Sequence, residues 1–219
     1  MPFDPACVAG LLFDLDGTLI DSSADLVVSG NWLRAHAGLA PLDPALIFGY
    51  VGDGAEAMVR LLLERPDGDV TELLEAYKRH YHDHCLDGTR LYPGVAPTLE
   101  ALAGRGFKMA VVTNKPERIS RRILEGLGTG RYWGGVIGGN SCANKKPHPE
   151  PLFKACGDLG VEPGQCAMVG DSRVDVEAGR NAACQTVGLL GGIGDEGLLR
   201  AARPDVLLPR FESLLGLLS

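Results

Sequence analysis

The sequence predicts a doubly wound α/β fold, mainly parallel in its sheet, with a helical unit inserted near the start. Three observations carry this. From Leu91 onwards short apolar runs alternate with helical patterns, which implies parallel pairing and crossover connections. Residues 22 to about 86 carry helical patterns only. The apolar runs end in Gly, Asp, Thr or Asn, at the carboxyl edge where open parallel sheets bind ligands.

Taken in order, Val8 to Phe13 reads as a buried strand, and Gly17 can turn the chain beyond it. Past Asp21, Ser22 with Asp25 three residues on reads as a capping box. Leu26, Val27, Trp32 and Leu33 give that helix an apolar side until Gly38 ends it. Residues 41–51 lead to Gly52-Asp53-Gly54, which opens a helix through Met58, Val59, Leu62 and Leu63. Pro66-Asp67-Gly68-Asp69 breaks the run, and residues 70–86 form a third helical pattern with Leu73, Leu74, Tyr77 and Tyr81. A helix over 95–103 precedes a strand over 107–113, and Pro116 opens a helix to Leu127. Strands over 135–139, 166–170 and 185–189 enclose helices over 149–159 and 174–181; segments 196–202, 205–208 and 211–218 complete the pattern. The expected division is a core of residues 1–20 and 88–219 and a helical insert of residues 21–87.

At 219 residues the chain suits one main domain with a smaller insert. A net charge of −7, with Lys and Arg scattered, argues against a nucleic-acid partner, which asks for a basic face. A locally positive phosphate site remains compatible with it. Cys7, Cys85, Cys142, Cys156, Cys166 and Cys184 form no C-x-x-C pair and read as free thiols in a reducing compartment. No segment approaches membrane-span length, and the start lacks the basic region of a secretory leader. The expectation is a cytoplasmic protein, monomer or homodimer, acting on a small phosphorylated metabolite.

The chemistry concentrates at the strand ends. The first strand ends in Asp14 and Asp16, two carboxylates that repel unless a cation or a proton intervenes. They ask for a divalent metal, for a nucleophile beside an acid/base, or for both. The strand over 107–112 ends in Thr113-Asn114-Lys115, and the strand over 166–169 in Gly170-Asp171-Ser172, with Asp175 one helical turn on. Lys146-Pro147 lies on a loop between these units. Four acids, a hydroxyl, an amide and a lysine thus converge on one edge.

On these residues the chain resembles the haloacid dehalogenase superfamily. Its motifs appear in order as Asp14-Leu15-Asp16-Gly17-Thr18, Thr113, Lys146-Pro147 and Gly170-Asp171-Ser172 with Asp175. The resemblance implies a Rossmann-like core with a helical cap of the first cap class, and Mg²⁺ as cofactor. It implies Asp14 as nucleophile, forming an aspartyl-phosphate, Asp16 as acid and base, Thr113 on the phosphoryl oxygens and Lys146 balancing charge. Asp14, the Asp16 carbonyl and Asp171 would hold the metal, with Asp175 orienting a metal-bound water or Lys146. Members without an acid at the position of Asp16 include the dehalogenases, so Asp16 favours phosphoryl chemistry.

Within the superfamily, the stretches Phe13 to Asp21, Val51 to Gly54, Tyr92 to Val95, Val112 to Lys115 and Lys146 to Pro149 resemble the phosphoglycolate phosphatases. That likeness implies hydrolysis of 2-phosphoglycolate, with Thr113, Asn114, Lys146, Gly52, Asp53 and Gly54 on the substrate. Val174, where that family usually carries Asn, is a departure. Phosphosugar phosphatases, for example those acting on N-acetylmuramic acid 6-phosphate, share most of these motifs, as do β-phosphoglucomutase-like isomerases. Release of free phosphate separates hydrolase from isomerase, and the complete acid set disfavours a non-catalytic binding module.

Other patterns read as structure. Gly192-Ile193-Gly194-Asp195-Glu196-Gly197 matches a dinucleotide fingerprint but has too little chain after it for that fold, and reads as a loop turn. His80, His82, His84 and Cys85 read as a solvated helix surface rather than a zinc site, and Arg60 as an exposed arginine.

Overall fold

Six strands form one sheet in the order β5-β4-β1-β6-β7-β8, every neighbouring pair parallel. They are β1 (Gly10–Phe13), β4 (Lys108–Val112), β5 (Trp133–Ile137), β6 (Cys166–Gly170), β7 (Gln185–Leu189) and β8 (Val206–Leu208). The computed structural model describes residues 3–219, so the first two residues of the expected core segment lie outside the described residues. All of β1 is buried, because helices cover both faces of a parallel sheet and both faces therefore demand apolar side chains. Leu11 and Phe13 join one core cluster while Leu12 joins the other, as strand alternation requires.

The chain fills one side of β1 with β4 and β5, then returns to the other with β6, β7 and β8. That reversal puts a crevice at the carboxyl end of β1. The helices of the core are α5 (Val95–Gly104), α6 (Glu117–Gly126), α7 (Glu150–Leu159), α8 (Arg173–Asn181), α9 (Glu196–Ala201) and α10 (Leu214–Leu217). Two strands depart from the sequence expectation by two residues: β1 begins at Gly10 rather than Val8, and β5 runs over Trp133–Ile137 rather than 135–139. The Gly138 and Gly139 N–H groups leave the ladder for the Ser141 hydroxyl and the Lys115 carbonyl.

The insert consists of α1 (Ser23–His36), α2 (Pro44–Phe48), α3 (Ala55–Leu62) and α4 (Thr71–His84). Two features at its base escaped the sequence reading. A two-residue antiparallel pair, β2 (Ile20–Asp21) with β3 (Arg90–Leu91), ties the outgoing and returning connections together. Two residues are too few to show a period. The expected Ser22–Asp25 capping box does not form: Ser22 makes no cap hydrogen bond. Asp25 instead turns inward, is 4% exposed, and accepts from the Gly88 and Thr89 N–H groups and the Thr89 hydroxyl at 2.7–2.8 Å. A buried carboxylate with three donors outcompetes a solvated helix cap, because charged hydrogen bonds strengthen away from water.

Asp25→Ala leaves the buried Thr89 N–H and the half-buried Gly88 N–H without an acceptor and is expected to cost about 2–3 kcal/mol. The urea midpoint reads this, and a loss below about 0.5 kcal/mol would mean that the base of the insert is held elsewhere.

Candidate active site

The end of β1 delivers Asp14, whose N–H donates to the Val169 carbonyl of β6 at 2.9 Å and so aims the residue out of the sheet. Lys146, on the loop between β5 and α7, reaches in with its ammonium. It donates to the Val112 carbonyl at 2.7 Å and to Asp175 Oδ1 at 2.6 Å, and lies 2.9 Å from Asp14 Oδ1. The approach to Asp14 is a charge contact outside hydrogen-bond alignment, so the buried Asp14 Oδ1 has no donor.

Asp175 is spent on protein partners. Its Oδ2 accepts from the Ser172 N–H and hydroxyl, closing a capping box on α8, while Lys146 takes Oδ1. Asp171, at the end of β6, accepts from the Thr18 hydroxyl at 3.1 Å and the Gly194 N–H at 2.9 Å. A residue with a Cβ at Gly17 would collide with the Asp171 carboxylate, and Gly17 also has φ +82°, so only glycine lets the turn after β1 approach this closely.

Asp14, Asp171 and Asp175 each offer an oxygen within 4.8 Å of the others. Burial pushes Asp14 up to about 6, against the pull of Lys146 and with added repulsion from Asp175. Burial, then repulsion from Asp175 and Asp14, pushes Asp171 up to about 7. Burial favours a neutral Lys146, but the Asp14 and Asp175 carboxylates outweigh it and raise its pKa. Asp14, Asp16, Asp171 and Asp175 face two ammonium groups, those of Lys115 and Lys146, which leaves two negative charges (four minus two). An all-oxygen donor set, an unpaired buried carboxylate oxygen and a deficit of two charges fit a hard divalent cation.

Asp16 points elsewhere. Both of its oxygens lie 2.7 Å from Lys115 Nζ, and Oδ1 also accepts from the Ser22 hydroxyl. Its side chain is therefore outside the three-acid cluster. Thr113 is buried at the end of β4, and its hydroxyl accepts from the Lys115 N–H at 3.2 Å. The Asn114 side chain is committed to the protein: it donates to the Gly52 and Lys146 carbonyls at 2.8 and 3.0 Å and accepts from the Lys146 N–H at 3.0 Å. Asn114 also borders the cavity, and with both N–H donors and one acceptor position engaged it couples the loop over 52–54 to the loop carrying Lys146.

The insert closes the site from above. Gly52 and Gly54 border the cavity over Asp14, but Asp53 does not, which corrects its assignment to the substrate. Asp53 is exposed and contributes its carbonyl, which accepts from Lys145 Nζ at 3.0 Å. The cap wall is largely apolar, with Leu26, Val51, Ala55, Met58 and Tyr77 facing the core. Lys78 and Tyr81 also border the cavity and were not singled out by sequence. The glycine loop over 192–194, read from the sequence as a turn, also reaches the site: the Gly194 N–H donates to Asp171, and a Cβ at Gly192 would strike the same carboxylate.

Arg60 is absent from the cavity wall and pairs with Glu56 at 2.9 Å. His80 stacks on Trp32 with ring centroids 4.2 Å apart and lies 4.5 Å from the His84 ring, while the His84 Nδ1 is engaged by Asp87, the His80 Nδ1 by Ser29, and Cys85 is buried. Val174 borders the cavity without a polar group. Among the described residues no helix is long and apolar enough to cross a membrane.

Comparison with known proteins agrees with this geometry. A family model described as haloacid dehalogenase-like hydrolase matches residues 11–189. A phosphoglycolate phosphatase of Haemophilus influenzae is 36% identical over 215 residues, covering 94% of this chain and 96% of its own. One of Aquifex aeolicus is 37% identical over 208 residues, covering 95% of each. The crystal structure of a predicted phosphoglycolate phosphatase from Haemophilus somnus superposes with a TM-score of 0.89 at 31% identity, covering 97% of this chain and 99% of that one. The chain belongs to the haloacid dehalogenase-like hydrolase family.

Proposed function

We propose that the protein is a Mg²⁺-dependent phosphatase that hydrolyses 2-phosphoglycolate to glycolate and phosphate through an aspartyl-phosphate. The observation that carries the reading is Asp14 itself: a partly buried carboxylate with one buried, unpaired oxygen, beside a buried ammonium and within reach of two further acids.

Phosphate monoesters hydrolyse extremely slowly unaided, so positioning and charge neutralisation must supply most of the acceleration. Asp14 attacks phosphorus, and the alkoxide that departs takes a proton from Asp16. Water, deprotonated by Asp16, then attacks the acyl phosphate and regenerates both acids. For this Asp16 exchanges Lys115 and Ser22 for the substrate oxygen. The Thr113 hydroxyl and neighbouring N–H groups hold phosphoryl oxygens, and Lys146 offsets the charge of Asp14. Asp14, Asp171 and the Asp16 carbonyl would hold Mg²⁺, which supplies Lewis-acid neutralisation of the phosphoryl group. Asp175 positions Lys146 from behind. Residues 21–87 form the cap, hinged at the β2–β3 pair, and its loop over 52–54 opens to admit substrate.

Two considerations support the substrate. Relatives sharing more than a third of their residues over nearly the whole chain carry that activity in their names. The apolar cap wall also gives a sugar's hydroxyls few partners, and unpaired hydroxyls are penalised heavily on burial.

The test is phosphate release from 2-phosphoglycolate, hexose phosphates, N-acetylmuramic acid 6-phosphate and pyrophosphate, with Mg²⁺ and with EDTA. The expected outcome is release that requires Mg²⁺ and favours 2-phosphoglycolate; undiminished release in EDTA would overturn the mechanism. A stability measurement accompanies it. Asp14 and Asp171 have folded-state pKa values of about 6 and about 7 against an ordinary 3.8, so each holds its proton more tightly in the folded state. In the metal-free protein their ionisation lowers stability progressively from about pH 4 to about pH 7, and Mg²⁺ relieves that repulsion. The rise in Tm on adding Mg²⁺ is expected to be larger at about pH 8 than at about pH 5, where protons compete. An equal rise at both would contradict binding at these acids.

A further inference from the structure

We propose that Tyr81 is a specificity-determining residue whose phenolic hydroxyl donates a hydrogen bond to the carboxylate of a short, anionic leaving group. The inference rests on the phosphatase reading above and adds the cap-side contact that selects the substrate.

Tyr81 is 2% exposed, its hydroxyl has no hydrogen-bond partner, and it borders the cavity. Buried hydroxyls are nearly always paired, so an unpaired one on a residue that borders a cavity marks a place where a ligand brings an acceptor. Ser22 is close enough to influence the phenol but is turned to Asp16 and does not reach Tyr81 in bonding geometry. Burial first, and the Asp16 charge second, push the phenol well up from its ordinary pKa, so the hydroxyl remains a donor.

The ring is held in place. It lies parallel to Tyr77 with centroids 5.9 Å apart, and Lys115 Nζ lies 4.8 Å from its centroid. Lys115 thereby puts a positive charge next to the phenol while gripping Asp16. Once Asp16 exchanges Lys115 for the substrate oxygen, as proposed above, a neutral donor beside a released ammonium suits a carboxylate. Around this pair the wall is apolar, with Leu26, Met58 and Ile119, and the Tyr77 hydroxyl is already directed at the Met58 sulfur at 3.5 Å. A two-carbon acid has one anionic group to place here, whereas a sugar presents several hydroxyls to surfaces that cannot answer them.

Tyr81→Phe keeps the ring and its stacking and removes the donor. We would measure kcat and KM of wild type and variant for 2-phosphoglycolate and for p-nitrophenyl phosphate, which has no carboxylate, together with Tm without ligand. Losing a hydrogen bond to a charged group corresponds to a fall of about 10–100-fold in the ratio of kcat/KM between the two substrates. The loss is expected mainly in KM for 2-phosphoglycolate. Tm is expected to stay level or rise, because the hydroxyl bonds nothing in the resting protein. A ratio within about twofold of wild type overturns the inference; a lowered Tm alongside it would assign the phenol to structure. If wild type prefers 2-phosphoglycolate and the ratio holds, the inference falls alone. If wild type prefers a different carboxylated ester, the substrate named above falls and the same ratio on that ester decides Tyr81. If it prefers a sugar phosphate, both fall.

Discussion

Asp14→Asn is expected to lower phosphate release by about a thousandfold or more, because the amide oxygen is a poor nucleophile where the carboxylate is a good one. The change is nearly isosteric, so the loss reports chemistry rather than collapse. The energetics point the same way. Burial already pushes the Asp14 carboxyl up to about 6, so a neutral amide removes a charge that the folded protein holds at a cost. Lys146 keeps its bonds to Asp175 and Val112. Metal-free Tm of the variant should therefore match or exceed wild type above about pH 7, while the Mg²⁺-induced rise shrinks. Phosphate release above about a tenth of wild type would require a different nucleophile.

Lys146→Met is expected to damage both activity and stability. Its side chain is 2% exposed, and the ammonium lies between two carboxylates of which Asp175 is equally buried. Removing one partner of such a buried pair costs about 3–5 kcal/mol, because the remaining charges lose their counter-ion without regaining water. Lys146 is also the main influence holding Asp14 down against burial. Without it Asp14 binds its proton still more tightly in the folded state, so the variant's deficit grows as pH rises from about 5 to about 8. Urea midpoints at the two pH values read this directly. A deficit under about 1 kcal/mol, or one independent of pH, would show that the carboxylates are neutralised by something else. Lys146→Arg keeps the charge but brings a planar, larger group into a space filled by Val112, Asp14 and Asp175, and is expected to restore stability only in part.

Much of the site was legible in the sequence because its information is local. An apolar run followed by an acid and a glycine specifies a strand, its end and a turn within about ten residues, and parallel topology then gathers strand ends on one edge. Asp14, Thr113 and Asp171 lie at the ends of β1, β4 and β6, with Lys146 on the loop after β5, for that reason. The glycine loop over 192–194 carried a visible signal that was assigned to a turn. Its closeness to Asp171 depends on how tightly the chain returns after β7, which no spacing encodes.

The doubly wound core, the helical insert and the gathering of Asp14, Thr113, Asp171, Asp175 and Lys146 on one sheet edge could be read from the residues, since alternating elements and apolar runs ending in polar residues are local signals. How those groups are partnered came from the folded chain. Lys115 grips Asp16 across 99 positions, Asn114 spans 62 to hold Gly52, and Asp25 spans 63 to bind Gly88. Asp25 and Ser22 gave up the helix cap that their spacing suggested, and Tyr81, on the cavity wall, was left with an unpaired hydroxyl. A short-range pattern ranks what a side chain can bond to nearby. Folding adds distant partners in a low-dielectric interior, where a charged or fully satisfied bond outweighs a solvated local one.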